Sequence, residues 1–546
     1  MSSKVAYYLQ EHLLGEVLTA SHVCKQFSTD ASVFTVTPSI VLYPKNEQDV
    51  RKTARFTWQL AERGRTIPIT ARGFGTDQTG AALGSGIIMV FPAHMNRILE
   101  LDTKIGLVTV EPGITFGKLQ QALHTHSRFL PPFPASLEYS TIGGAVANNA
   151  SGEKSLKYGS MRGYVKGLRV VLANGEIIET RRLNKRELSK KLGLVTFEGE
   201  IYRSLDALIE ENQPLIKETK LGVSKNTAGY ELADIKHKDG SFDLTPLFVG
   251  SQGTLGIVTE VVLTTELHNP QTTLIAAFFD DLRVAEEVIT EIRKWSDGPS
   301  VIEAVDGQLL ASVHRHNPNQ LKDMISEPFP KLVLLIEFDD LSARVQKRLA
   351  KKTQKTLDHY QISHQTETEE SGKERLWKIR QAVATALTQA ENNLRALPFI
   401  DDGIVPIDRF NDYIEAVYAL FTKYHLQAAM WGHAGDAHLH MQPFMDLNQV
   451  GDRQKVFRLI DEYYQMVISM GGSTSGERGD GRIRAPYLKA LYGEDIYGLF
   501  QKVKQFFDPY GTLNPGVKIN VELEDIKPLL RYEYSLDHLY NHLPHS

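Results

Sequence analysis

Short apolar runs broken by glycine-rich turns dominate residues 36–267 and predict strands, among them SGIIMVFP, IGLVTVEPG and GLRVVLANGEIIE. Asn174-Gly175 inside the last run is a hairpin-turn signal, because both residue types tolerate φ > 0. EQDVRKTARFTWQLAERG carries apolar positions at helical spacing and predicts an amphipathic helix between strands. Residues 1–35 predict a helical lead-in. A second block starts near residue 268. There TLIAAFFD, SVIEAV and KLVLLIEF predict strands, while DLRVAEEVITEIRKW and LSARVQKRLAKKTQKTLDHY predict helices. The order βαββα points to an antiparallel, ferredoxin-like sheet with helices on one face. The polar stretch HQTETEESGKER is expected to separate it from a helix-rich C-terminal part. The chain is thus expected to be α+β, with a lead-in (1–35), one domain over 36–267, a second over 268–520 and a tail over 521–546.

Bulk properties narrow the function. A chain of 546 residues is too long for one hydrophobic core. Lys and Arg number 61 against 66 Asp and Glu, the net charge is −5, and no basic block stands out, so nucleic acid is not an expected partner. The single cysteine, Cys24, excludes a disulfide framework and an iron–sulfur cluster carried by this chain. Glu11 and Glu16 interrupt any apolar core of a signal peptide, and no run approaches the roughly 20 apolar residues of a membrane span. The expected location is cytoplasmic, with peripheral membrane docking and a homodimer left open.

Three glycine-rich segments stand out; the first two suit a ligand with phosphates, and the first reads equally as a glycine-rich loop between strands. In ARGFGTDQTG (71–80), glycines let the backbone approach a ligand closely, and successive N–H groups can form an anion-binding nest. This is neither a phosphate-binding P-loop nor a G-x-G-x-x-G turn opening a helix. In PPFPASLEYSTIGGAVANNASG (131–152), small residues through 150 suggest a helix start packed against something bulky. The third segment is GSQGTLGIVTEVVL (250–263), a glycine-rich turn leading into a β-rich run.

GHAGDAHLHM (432–441) concentrates three histidines in nine residues. Its flanks read as two strands joined by a short turn. Positions i and i+2 share a strand face, so His438 and His440 point together, and His433 lies across the turn. A metal site, a catalytic base and a hydrogen-bonded polar cluster all fit this pattern.

Taken together, the glycine segments resemble the FAD-binding domain of the FAD-linked oxidases, the vanillyl-alcohol-oxidase superfamily with its two-subdomain PCMH-type fold. KNTAGYEL (225–232), LWKIR (376–380), GHAGDAHLH, GGSTSGERGDG (471–481) and DPYGTLNPG (508–516) extend the resemblance to the branch of D-lactate dehydrogenase, D-2-hydroxyglutarate dehydrogenase and glycolate oxidase. The resemblance covers about 36–519. It implies that Arg72, Gly73, Phe74, Gly75, Thr76 and Asp77 wrap the FAD pyrophosphate. Ser136, Thr141, Gly143, Gly144, Asn149 and Gly152 would line the cofactor, Gly256, Ile257 and Val258 would approach it, and Asn514 would close the site. The 71–80 loop lacks the tethering histidine of some relatives and Cys24 is remote from these motifs, so noncovalent FAD is expected.

The resemblance also implies a divalent metal, zinc, manganese or iron, on His433, His440 and Glu477. It makes Arg380 the arginine that binds a substrate carboxylate. Two departures stand out. The family commonly has His where this chain has Arg478, and Asn where it has His438. The missing histidine is usually the base, a role arginine cannot fill near neutral pH. Either His438 is the base, or hydroxide on the metal serves, or the substrate differs; Arg478 would then be a second carboxylate clamp.

The expected activity is oxidation of a small D-2-hydroxy acid to the 2-oxo acid by hydride transfer to flavin N5. Electrons would pass to an external iron–sulfur protein, flavoprotein, quinone or oxygen. The alternatives are an alcohol or phenol oxidase on the same fold, a catalytically silent FAD-binding subunit of a larger oxidoreductase, and a flavin-free metal hydrolase.

Overall fold

The computed structural model describes residues 2–540 except 323, 326 and 389–393. Residues 541–546 of the expected tail lie outside the described residues.

Two sheets form the N-terminal part. The first has the order Glu16–Leu18, Ile40–Tyr43, Ile87–Val90, Ile69–Arg72, and its last three strands are parallel. Within the lead-in read as helical over 1–35, helices Ser2–His12 and Ser21–Gln26 flank a short strand, Glu16–Leu18, which pairs antiparallel with Ile40–Tyr43 and extends the sheet. Helix Glu47–Glu62 forms where the amphipathic pattern predicts it, with Asn46 accepting from the backbone N–H of Gln48 and Asp49 at its start. The second sheet is antiparallel, in the order Ile98–Asp102, Leu107–Val110, Ile257–Thr264, Val165–Val171, Ile177–Thr180. Its last two strands are joined by the turn at Asn174-Gly175, where Gly175 has φ 83°.

A seven-stranded antiparallel sheet forms the second part. Its order is Ser363–Glu367, Thr273–Phe279, Leu332–Phe338, Val301–Asp306, Ala428–His433, His438–Met445, Arg395–Ala396. Three expectations are corrected. Helices cover both faces, not one. Ile275, Ala277 and Phe279 pack with helices Leu282–Arg293, Ala343–His359 and Phe410–Tyr424, while Leu274 and Ala276 pack with Gly307–His316 and Glu370–Thr388. The unbroken apolar runs TLIAAFF and LVLLIEF are the physical signature of a sheet buried on both sides. A helix, Gly307–His316, stands between two strands read as consecutive; Asp306 caps it by accepting from Leu309 N–H at 3.0 Å. The polar stretch after His364 is no linker: it is the edge strand Ser363–Glu367 and the start of helix Glu370–Thr388. Polar residues suit an edge strand, whose outer rim faces water.

Candidate active site

One continuous cavity runs between the two parts. Its lining joins Arg72–Asp77, Ser136, Thr141, Gly143, Gly144, Gly152, Gly256 and Val258 to Arg380, His433, His440, Glu477 and Arg478. Elements far apart in sequence therefore build one site.

At one end the wall is backbone. Thr141 accepts from Gly144 N–H at 3.1 Å and starts the short helix Ile142–Asn148. The loop at 73 lies against it so closely that a Cβ on Gly73 would sit 2.6 Å from Thr141 Oγ1. A Cβ on Gly152 would sit 2.0 Å from the Phe133 carbonyl oxygen. Gly253 has room around it and lines the cavity, so a side chain there would fill the space, while a Cβ on Gly144 would sit 3.2 Å from Thr141 Oγ1. This glycine-walled trough at a polar loop fits a dinucleotide.

Of the residues assigned to the cofactor, Arg72 lines the cavity but spends its guanidinium on the loop, and three others stand behind the wall or away from it. The Arg72 guanidinium turns inward and donates to the carbonyls of Phe27, Thr29 and Ala82, bracing the loop. Asn149 caps the helix in the left-handed region (φ 52°) and accepts from Arg162 N–H. Ile257 is buried in the core under the first sheet. Asn514 donates to the carbonyls of Ala81 and Gln252 and accepts from Thr70, tying two cavity loops together. Asn149, Ile257 and Asn514 do not line the cavity. The tail folds back over this end: Arg531 donates to Phe34 O, Tyr534 to Ala31 O, and His538 Nε2 to Gly75 O at 2.8 Å.

Side chains make the other end. Strands Ala428–His433 and His438–Met445 form the predicted hairpin, with His433 directly opposite His438. Ala304 pairs with Gly432, and on the next positions Glu303 meets His433. His433 Nδ1 bonds Glu303, whose other oxygen accepts from Arg380 Nε at 2.8 Å. His440 Nδ1 lies 2.9 Å from Asp401 Oδ1, and Arg478 Nη1 donates to Asp401 Oδ2 at 2.7 Å. The Glu477 carboxylate lies 3.3 Å from His433 Nε2 and 3.1 Å from His440 Nε2. Lys225 Nζ donates to Glu477 at 3.1 Å.

Charges decide how these groups titrate. Burial pushes Glu303 up, but the His433 and Arg380 cations overcome it and hold the carboxyl at about 2. Burial pushes His433 down, and the Glu303 carboxylate reverses this, raising it to about 9. Glu477 is buried yet held well below its usual range by Lys225 and His433. Asp401 is likewise held down against burial by Arg478 and His440. Without a metal, a proton on His433 sits where a cation is favoured.

The donor set fits a divalent ion. Ligand atoms at about 2.0–2.1 Å from a tetrahedral centre are about 3.3–3.4 Å apart. His433 Nε2 and His440 Nε2 are 3.4 Å apart, and both are within 3.3 Å of Glu477. Both imidazoles are backed by a carboxylate, which fixes the tautomer that presents Nε2.

The structure does not bring His438 to the cavity. It is fully buried, its Nε2 meets Asp402 Oδ1 at 2.9 Å, and burial with the Lys225 charge lowers it to about 4. It forms no part of the lining, so in this structure it stands behind the cavity wall and does not face a substrate hydroxyl. His438 and His440 do share a strand face, but that face is covered at 438 by Asp402.

Several groups at the site are absent from the sequence-based set. Glu153 lines the cavity and faces Arg380 at 3.9 Å; burial raises it above the usual carboxylate range. Lys225, Glu303, Asp401 and Asp402 hold the histidines and Glu477. Asp401-Asp402-Gly403, a doubled acid before glycine, is the one local signal that could have pointed to them.

Comparisons with known proteins agree with this architecture. Residues 38–181 match the model of a FAD binding domain, and 268–517 match the C-terminal domain of FAD linked oxidases. The chain is 30% identical over 523 residues to D-2-hydroxyglutarate dehydrogenase of Escherichia coli (strain K12), covering 93% of this chain and 50% of that protein. It therefore spans about half the length of that relative. It is 29% identical to glycolate oxidase subunit GlcD of Bacillus subtilis (strain 168), covering 88% of both. Among solved structures, 4-ethylphenol oxidase from Gulosibacter chungangensis superposes with a TM-score of 0.66 at 16% identity, covering 96% of this chain and 98% of that one. P-cresol methylhydroxylase superposes at 0.68 and 14% identity, covering 96% and 97%. These two likenesses concern the fold alone. No helix among the described residues is long and apolar enough to cross a membrane.

Proposed function

The chain belongs to the FAD-linked oxidases, and from that premise we propose that it oxidises a D-2-hydroxy acid to the 2-oxo acid. The observation that carries the reading is the cavity itself. It joins a dinucleotide-shaped glycine trough to two arginines and a histidine–carboxylate cluster.

Bound FAD supplies the two-electron acceptor for the hydrogen on the α-carbon. Arg380 and Arg478 bind the substrate carboxylate; each is already oriented by a buried carboxylate, Glu303 or Asp401. His433, His440 and Glu477 would hold a divalent ion, zinc, manganese or iron, which would act as a Lewis acid on a substrate oxygen. Glu153 takes the hydroxyl proton. Its raised pKa brings it nearer the working range of a base, and it stands beside Arg380 in the cavity. FAD is held without a covalent bond, since the loop at 71–80 has no histidine and Cys24 packs in a separate core. One cysteine cannot carry a cluster, so reduced flavin passes its electrons to an external acceptor: an iron–sulfur protein, a flavoprotein, a quinone or oxygen.

The relatives support the hydroxy-acid class without choosing the acid. The test is anaerobic mixing of the yellow protein with a panel of D-2-hydroxy acids that includes glycolate, lactate and 2-hydroxyglutarate. Bleaching of the flavin by at least one of them is expected. A flavin that no acid reduces would favour the silent-subunit reading, to which Arg478 in place of a base lends weight.

A further inference from the structure

We propose that the metal site of this chain has a fourth protein ligand, Nδ1 of His438, beside His433 Nε2, His440 Nε2 and the Glu477 carboxylate. The inference rests on the three-ligand metal site of the proposed function and extends it to a residue outside that set.

Three observations carry it. The first is a shared construction. Each of the three histidines gives one ring nitrogen to a buried carboxylate: His433 to Glu303, His440 to Asp401 and His438 to Asp402. An ionised carboxylate only accepts, so the ring proton lies on that side. The lone pair then sits on the opposite nitrogen, which for His438 is Nδ1. Carboxylate support of this kind is the usual setting of a metal-ligating histidine.

The second is an orphan. His438 is fully buried and Nδ1 has no hydrogen-bond partner. Buried polar atoms are nearly always paired, so an unpaired acceptor asks for an explanation. A purely structural histidine would account for the Asp402 contact. It would leave Nδ1 unexplained.

The third is position. One ring nitrogen of His438 and ligand atoms of His433, His440 and Glu477 all lie within 4.8 Å of one another, wider than the spacing of about 3.3–3.4 Å in a loaded tetrahedral site, so metal binding would draw the His438 ring inward. Asp402 also accepts from the backbone N–H of Glu477 and Arg478, at 3.2 and 3.0 Å. His438 and Glu477 are therefore held to one another through a single carboxylate. Gly476 leaves the room: a Cβ there would sit 2.8 Å from the His438 ring.

Four protein ligands would make this a filled tetrahedral set. A substrate oxygen could join only as a fifth ligand, so the ion would serve chiefly to order the wall between Arg380 and Arg478.

The full chain, with FAD bound, is stripped with a chelator and reloaded with zinc. X-ray absorption then counts the imidazoles on the ion. Three are expected; two would overturn the proposal and leave the three-ligand site standing. Failure of the wild-type protein to bind zinc stoichiometrically would overturn both. His438→Asn is compared by cobalt titration, with flavin absorbance and thermal melting as checks on folding. The d–d bands should shift and the dissociation constant rise at least about 10–100-fold, the range seen when even an outer partner of a ligand is lost. Bands and affinity identical to wild type would also overturn it. If His438→Asn fails to fold, the wild-type imidazole count decides alone.

Discussion

The two ends of the cavity are built from different materials. The cofactor end is made of backbone: glycines, one capped short helix and loops braced from behind by Arg72, Asn514 and the tail. The substrate end is made of buried ionic pairs: Glu303 with His433 and Arg380, Asp401 with His440 and Arg478, Lys225 with Glu477. The first suits a large ligand by shape and leaves no room for a Cβ at Gly73 or Gly152. The second recognises small groups by charge and tolerates no missing partner, because an unpaired buried charge is costly. The contrast explains why one cavity has small residues at one end and long charged ones at the other.

Breaking the cofactor end should have the largest effect. Gly152→Ala puts a methyl 2.0 Å from Phe133 O, a backbone atom that cannot rotate away. The variant is expected to purify without flavin colour, while retaining metal if the substrate end folds independently. Absorbance spectra and metal analysis on one sample check both halves of that expectation.

At the substrate end, Glu153→Gln should keep FAD and metal and slow flavin reduction by about 10²–10⁴-fold, the usual worth of a general base. Stopped-flow reduction across pH is the measurement. The wild-type rate should rise with pH as Glu153 loses its proton, through a range above that of an ordinary carboxyl, and the variant should lack that step. Equal rates in both proteins would remove Glu153 from the reaction.

Arg380→Lys keeps the charge and loses the planar fork. One charged hydrogen bond is worth about 1.5–3 kcal/mol, so substrate affinity should weaken by about 10–100-fold. Flavin content should not change. A titration of substrate against the rate of flavin bleaching separates this from a loss of chemistry.

The smallest effect concerns the tail. Burial and the Arg72 charge lower His538 to about 3, against 6.5 for a free histidine. The docked tail therefore takes up protons less readily than the undocked one. Docking is fully favoured above about pH 6.5 and weakens as pH falls from there toward 3, by at most about tenfold per pH unit. Hydrogen exchange of residues 531–539 should speed up over that interval, and His538→Gln should flatten the dependence.

How much of this is legible in the sequence follows from where each signal lies in the chain. The glycine loops can be read because each is one continuous segment whose composition makes sense only as a turn or close approach. The histidine hairpin can be read because strand alternation is local: His438 and His440 do share a face, and His433 meets them across the turn. The continuous apolar runs at 273–279 and 332–338 carry more than their strand character, since burial on both sides is what removes polar residues from alternate positions.

What the tertiary structure alone decided is which partners those residues meet. Glu303 reaches His433 from 130 positions away, Ser151 reaches Glu477 from 326, and Thr70 reaches Asn514 from 444. No local period or spacing encodes such pairings; they arise when separate sheets pack and bring opposite charges and polar partners together at the site. So the sequence by itself determined the family, the cofactor class and the cluster of candidate ligands. Whether His438 faces the cavity or the carboxylate behind it was set by the fold, because the side of a strand is a local property and what covers that side is not.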